Sequence, residues 1–228
     1  TWTNIKATLK TYFDTLYATA GTYVTAGAAT GSGLTQATGK LLGRTTASTG
    51  AIEEITPGST LTFAAGSLDV ARPYTAGTTV ATTSGTSVSW TSIPSWIEVI
   101  TLDFFGVSLT QNADHFLIQI GTGGSPTTSG YLSSGVYISS GSTNGSSSAG
   151  FLLISGAAGN ATITWSGKIN ITRISSTEWE MSGQLGSDIG SMLLSSGRVT
   201  LAGQLDNLRV TTNGTSTFDA GKAKLSYY

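Results

Sequence analysis

Residues 161–174 read Ala-Thr-Ile-Thr-Trp-Ser-Gly-Lys-Ile-Asn-Ile-Thr-Arg-Ile. Ile169, Ile171 and Arg173 fall on one face of an extended chain, and Asn170, Thr172 and Ile174 on the other. That two-residue period is the mark of a strand with one buried side. The same texture recurs at 97–109, 116–120, 135–140, 151–154, 178–185 and 198–212. Gly-, Ser- and Asn-rich segments separate these runs, including Asn144-Gly145 and Asn213-Gly214, dipeptides that favour tight turns. The spacing predicts an antiparallel β-sandwich of jelly-roll type over residues 82–228. A domain of that size can bury a core of its own.

Upstream the texture changes twice. Within residues 1–20, Ile5, Leu9, Tyr12 and Leu16 stand four, three and four apart, the seam of a heptad helix. Thr3 or Asn4 can cap its start, and Gly21 stands where a helix would stop. So short a helix is marginal alone in water. It packs either on its own chain or in a short parallel bundle of identical chains, which makes those four residues the candidate trimerisation set.

Residues 21–81 are Gly- and Thr-rich, with apolar beads at Leu41-Leu42, Ile52, Ile55, 61–63 and 68–70. Each bead is too short to make a core within one chain. Repeated about a three-fold axis, the beads would stack as layers of like residues in an extended shaft; the other reading is a linker. Arg44, Glu53 and Glu54 carry nearly all the charge before Asp69, either as pairs between neighbouring chains or as solvated groups.

Composition narrows the function. The 228 residues include 39 Thr, 31 Ser and 30 Gly, while only 10% are charged. This is a folded, strand- and turn-rich composition rather than that of a charged, disordered chain. A net charge of −1 lacks the basic footprint of a nucleic-acid binder. No cysteine is present, which excludes disulfides and thiolate chemistry. The single histidine, His115, cannot build a site that needs two imidazoles. No apolar run approaches the ~18 residues of a membrane-spanning helix. Nucleic acid and membrane are therefore not expected partners.

No constellation points to catalysis, a cofactor or a metal. His115 follows Asp114 in what reads as a turn before a strand, the place of a solvated loop histidine. Glu178 and Glu180 lie two apart on a strand and share a face, a spacing compatible on paper with a retaining glycosidase pair. Paired strand glutamates are more often a wet sheet face. Residues 121–150 hold Tyr131 and Tyr137 among small polar residues and read as long loops on a rigid sandwich. Such loops are where binding concentrates, and tyrosine rings stack on sugar C–H faces. The two tyrosines are thus candidate receptor-binding residues, or else core or subunit-interface residues. Trp90, Trp96, Trp165 and Trp179 read as packing residues.

Several stretches resemble one family. Residues 9–17, Leu-Lys-Thr-Tyr-Phe-Asp-Thr-Leu-Tyr, and residues 40–55, Lys-Leu-Leu-Gly-Arg-Thr-Thr-Ala-Ser-Thr-Gly-Ala-Ile-Glu-Glu-Ile, are similar to segments of tailed-bacteriophage fibre proteins. Residues 82–228 resemble a C-terminal β-domain of phage virion proteins. The carriers there are Ile93-Pro-Ser95, Phe105-Gly-Val-Ser108, Leu117-Ile-Gln-Ile-Gly121, 205–211 and Phe218-Asp-Ala-Gly221.

The resemblance implies a mainly β homotrimeric fibre, not an enzyme, on a virion assembled in the host cytoplasm. Residues 1–20 would attach it to other virion proteins, 21–81 would form the shaft, and 82–228 would meet a host surface glycan or protein. A head fibre, a decoration protein or a tail-collar protein without a receptor role is the alternative, and a polysaccharide depolymerase a third.

Overall fold

The computed structural model describes residues 1–19, 36–64, 66–70, 74–111, 114–153 and 162–228. The chain is mainly β, with one short N-terminal helix and large antiparallel sheets. It divides into two compact units, Thr1–Ala71 and Arg72–Tyr228.

In the first unit, helix α1 spans Trp2–Thr19. The Thr1 carbonyl accepts from the N–H groups of Asn4 (3.1 Å) and Ile5 (3.4 Å), so Thr1 holds the cap position rather than Thr3 or Asn4. The hydroxyls of Thr8, Thr11 and Thr15 bond back to carbonyls four residues earlier, which spends their donors within the helix. Gly21 lies outside the described residues.

Two separate hairpins follow: β1 (Leu41–Gly43) with β2 (Glu53–Ile55), and β3 (Leu61–Ala64) with β4 (Ser67–Val70). The first is closed by Arg44. Its guanidinium donates to the carbonyls of Ser48 (2.8 Å) and Ala51 (2.9 Å) and to Glu53 Oε1 (3.2 Å). Glu54 accepts the Ala37 N–H at 2.8 Å. The charges expected to pair between chains or stay solvated are thus used inside this hairpin region. In the second hairpin Leu61 pairs with Val70 and Phe63 with Leu68, so all four lie on one face.

The second unit holds β5 (Thr75–Ala81), β6 (Ser87–Thr91), β7 (Val99–Leu109), β8 (Phe116–Thr122), β9 (Ser125–Pro126), β10 (Leu132–Ile138), β11 (Ser142–Ser147), β12 (Phe151–Leu152), β13 (Trp165–Arg173), β14 (Glu178–Ser187), β15 (Met192–Thr200), β16 (Asn207–Thr212) and β17 (Phe218–Tyr227). They form an eight-stranded sheet, β11-β10-β15-β14-β13-β7-β17-β5, and a smaller one, β12-β8-β16-β6, with β9 beside β8. Both sheets feed one apolar core. Ile100, Leu102, Trp165, Ile169, Ile171 and Leu193 come from the large sheet, and Phe116, Ile118, Ile120, Leu208 and Val210 from the small one.

The period of residues 161–174 holds where it is described. Ile169 and Ile171 are fully buried while Asn170 is exposed. Arg173 ends the buried face by donating to the carbonyls of Ser175 (3.1 Å) and Ser95 (3.3 Å).

Three expectations change. Residues 198–212 are two strands: β15 ends at Thr200, and after 201–206 the chain starts β16 in the other sheet. Asn144-Gly145 is no turn but the middle of β11, opposite Val136 and Gly135. Finally, residues 75–81 pair with β17 as an edge of the large sheet, so the compact second unit begins at Arg72, ahead of residue 82.

Candidate functional site

The candidate site lies on the open face of the eight-stranded sheet, and its shape is set from the face behind it. On the inner side, Gly135 of β10, Ser195 of β15 and Gly183 of β14 are consecutive cross-strand partners. With two of the three lacking a side chain, the main chain of β12 comes directly against the sheet. Ser195 Oγ donates to the Leu152 carbonyl. The Leu152 N–H donates to Ser133 Oγ at 2.9 Å, and a Cβ on Gly135 would stand 3.4 Å from the Leu152 oxygen. Where most sheet-on-sheet packing keeps about 10 Å between layers, this patch has hydroxyls and glycine as its only spacers.

The outer side of the same patch is hollow. Ser134, Ser196, Ser182, Asn170 and Thr101 are consecutive partners across β10, β15, β14, β13 and β7. One register row further along run Val136, Leu194, Gln184, Lys168 and Asp103, with Asn144 of β11 opposite Val136. All of these but Thr101 and Asp103 line a groove of about 780 Å³. A second hollow of about 730 Å³ shares Lys168 and Gln184 with it and reaches Phe105 and Met192. At about 4.8 Å per strand, β10 to β7 covers about 19 Å.

The chemistry of the trough is polar and almost uncharged. Lys168 Nζ lies 3.4 Å from Asp103 Oδ1, and the same register row continues past Asp103 to Lys224 of β17. Asn170 Oδ1 accepts from Thr101 Oγ1 at 3.1 Å, which fixes its orientation. Among the described residues the side chains of Asn144, Gln184, Ser182 and Ser196 make no hydrogen bond. Phe105 is 68% exposed, an unusual place for a phenyl ring, with Lys222 Nζ 5.2 Å from its centroid.

The residues expected from sequence to bind a receptor lie elsewhere. Tyr131 is 1% exposed, its hydroxyl accepting the Ile120 N–H (2.8 Å) and donating to the Ile120 carbonyl (3.0 Å). Burial pushes that phenol well above the usual tyrosine range. Its ring stands edge-on to Phe151, 4.9 Å between centroids. Tyr137 is half-buried against Trp165, with its hydroxyl 3.2 Å from Ser191 Oγ. Tyr131 is a core residue and Tyr137 packs partly buried against the core, and residues 132–138 and 142–147 are strands rather than long loops. Trp165 and Trp179 are buried and Trp90 and Trp96 pack against the core.

Of the candidate trimerisation residues, Ile5, Leu9 and Tyr12 are 53%, 47% and 60% exposed on α1; the side chain of Leu16 lies outside those described. Glu178 and Glu180 share the outer face, flanking buried Trp179, and Glu180 is the cross-strand partner of Arg198. His115 precedes β8, its N–H donating to Asn213 Oδ1 at 2.7 Å. Among the described residues no group of three or more His, Cys, Asp or Glu is placed to hold a metal ion. No described helix is long and apolar enough to cross a membrane.

The trough residues were missed at the level of sequence. Lys168 and Asn170, Ser182 and Gln184, and Leu194 and Ser196 are each two apart at outward positions, but only register joins them into one surface. Compared with protein-family models, curated proteins and solved structures, the chain matches none.

Proposed function

We propose that the chain is a structural fibre protein of a tailed-bacteriophage virion, a homotrimer anchored to the particle by its N-terminal region. Its jelly-roll-like distal β-domain contacts the host surface. One observation carries this reading: among the described residues the first unit leaves large apolar side chains exposed and contributes none to the buried core. Ile5, Leu9 and Tyr12 stand out along α1, and Leu61, Phe63, Leu68 and Val70 along one face of a two-stranded hairpin. A hairpin alone is marginal in water, and contiguous exposed apolar surface marks an interaction site. Sister copies about a common axis would set like residues in layers and bury each of them.

The second unit has a finished core of its own. It needs no partner to fold and can be carried outward by the first. Three weak sites on one axis raise effective affinity by orders of magnitude without any single strong contact.

The test is to locate the chain on the particle and to add purified full-length chain to an adsorption assay. Density at a fibre position, and competition with adsorption, are the expected results. A particle without the chain overturns the reading. Density on the head or collar, with adsorption unchanged, replaces it with a decoration role.

A further inference from the structure

We propose that Asn213 is a self-modification site, at which the main-chain nitrogen of Gly214 attacks the Asn213 side-chain carbonyl carbon and forms a succinimide. The inference does not rest on the host-contact reading and concerns a part of the chain that reading leaves unused.

The chain holds two Asn-Gly dipeptides, Asn144-Gly145 and Asn213-Gly214. Glycine after asparagine leaves the attacking nitrogen unshielded by a side chain, so both are candidates by sequence. The fold separates them. Asn144 lies in mid-β11 opposite Val136, and Gly145 lies opposite Gly135. An extended ψ of about +135° carries the following nitrogen away from the side chain it must reach. Asn144 has to leave the sheet before it can react.

Asn213 is under no such restraint. It stands just past β16, in residues 213–217, which carry the chain from the small sheet to β17 in the large one. The connection is pinned on either side of the dipeptide. The Thr212 N–H donates to the Thr86 carbonyl at 3.2 Å, and the Ser216 N–H donates to Asp114 Oδ2 at 2.7 Å. Between them Asn213, Gly214 and Thr215 are exposed, so water reaches the reacting bond.

The two reacting groups are set differently. The electrophile is held: the His115 N–H donates to Asn213 Oδ1 at 2.7 Å, and the Asn213 N–H donates back to the His115 carbonyl at 3.3 Å. The His115 N–H thus points at the oxygen on which negative charge develops during attack, as an oxyanion donor does. The nucleophile is free: among the described residues the Gly214 N–H makes no hydrogen bond. Packing also requires glycine here, since a Cβ on Gly214 would run into the Asp114 carboxylate.

The new bond joins Gly214 N to Asn213 Cγ. The Cγ–Nδ2 bond breaks, and Nδ2 leaves as ammonia with the proton that Gly214 N gives up through solvent. Water then opens the ring at either carbonyl, leaving aspartate or isoaspartate. Both products add a negative charge close to Asp114. The isoaspartyl form also adds a methylene to the main chain between the two sheets.

The experiment ages purified full-length chain in neutral buffer, folded and in parallel unfolded in urea, and follows both dipeptides by peptide mass mapping. Enzymatic carboxyl methylation counts isoaspartate independently. In the folded chain Asn213 should convert about tenfold faster than Asn144, a margin set by the local opening that Asn144 needs. In urea the two rates should converge, with Asn213 converting no faster there than in the fold. Asn213→Gln, for which ring closure is a size larger, should remove the acid product from this connection.

An Asn213 that stays intact in the folded chain overturns the proposal. So does equal conversion of the two dipeptides in the fold, faster conversion of Asn213 in urea than in the fold, or acid product that persists at this connection in Asn213→Gln.

Discussion

Arg44 Nη1 lies 3.2 Å from Glu53 Oε1, and the two residues close one hairpin from its two strands' ends. Glu53 also accepts from the N–H (3.1 Å) and hydroxyl (3.0 Å) of Thr45. The stretch Leu-Gly-Arg followed by Gly-Ala-Ile-Glu-Glu is therefore a self-contained turn. Arginine fills the loop, glutamate fixes the arginine, and Gly50 leaves room: a Cβ there would stand 2.4 Å from the guanidinium.

That network makes the hairpin sensitive to acid. Hydrogen bonds from the Thr46 hydroxyl first, and from Thr45 next, hold the Glu53 carboxyl below its ordinary 4.5. A lowered carboxylate stabilises the fold above the unfolded value and loses that contribution as pH falls through the folded one. The Thr45 amide resonance should therefore titrate with a midpoint under 4.5, and Glu53→Gln should abolish the transition. A midpoint at or above 4.5 would contradict the network.

Tyr131 gives a cleaner test of core against site. Tyr131→Phe keeps the ring but strands the Ile120 N–H, whose partner is the phenol at 2.8 Å. An unsatisfied buried donor costs about 1–3 kcal/mol. Chemical denaturation should register that loss, while binding of any ligand to the open sheet face stays unchanged. Unaltered stability would mean that the Ile120 N–H finds another acceptor.

Gly183 tests the origin of the trough. A Cβ added there would meet Ile169 Cδ1 at 2.4 Å and the Lys168 carbonyl at 2.7 Å. The isoleucine tip can turn away, but the carbonyl belongs to the neighbouring strand. Gly183→Ala should cost about 1–3 kcal/mol as an overpacked site and shift the amide resonances of Lys168 and Gln184 on the outer face. A variant as stable as wild type would show that β13 and β14 part at no cost.

Much of the β-unit was legible because its signal is local. Ile169 and Ile171 alternate with Asn170 and Thr172 whatever the rest of the chain does. What was illegible depends on register. Asn144-Gly145 carries the chemistry of a turn, yet pairing with Val136 and Gly135 holds it in mid-strand. Strand β17 hides its alternation behind register shifts near Ala220. The trough lay further out of reach, since Asn170, Gln184 and Leu194 meet only after three strands are aligned. Tyr131 misled for the same reason: small polar neighbours suggest a loop, and burial was decided by the second sheet.

The helix carries its own prediction. Leu9→Asp would set like charges against one another in a buried seam, costing about 3–5 kcal/mol. Assembly should weaken, and the thermal transition of the β-unit should stay in place, because its core lies entirely within residues 72–228. An assembly indifferent to this change would remove α1 from the interface and leave the hairpins to hold the copies together.

The exposed apolar faces of the first unit make self-association the centre of the account, and the mass of the purified chain in solution addresses it directly. Light scattering at micromolar concentration should return about three times the chain mass of 23.3 kDa. A particle of 23.3 kDa, stable with Ile5, Leu9, Phe63 and Leu68 open to water, would contradict it.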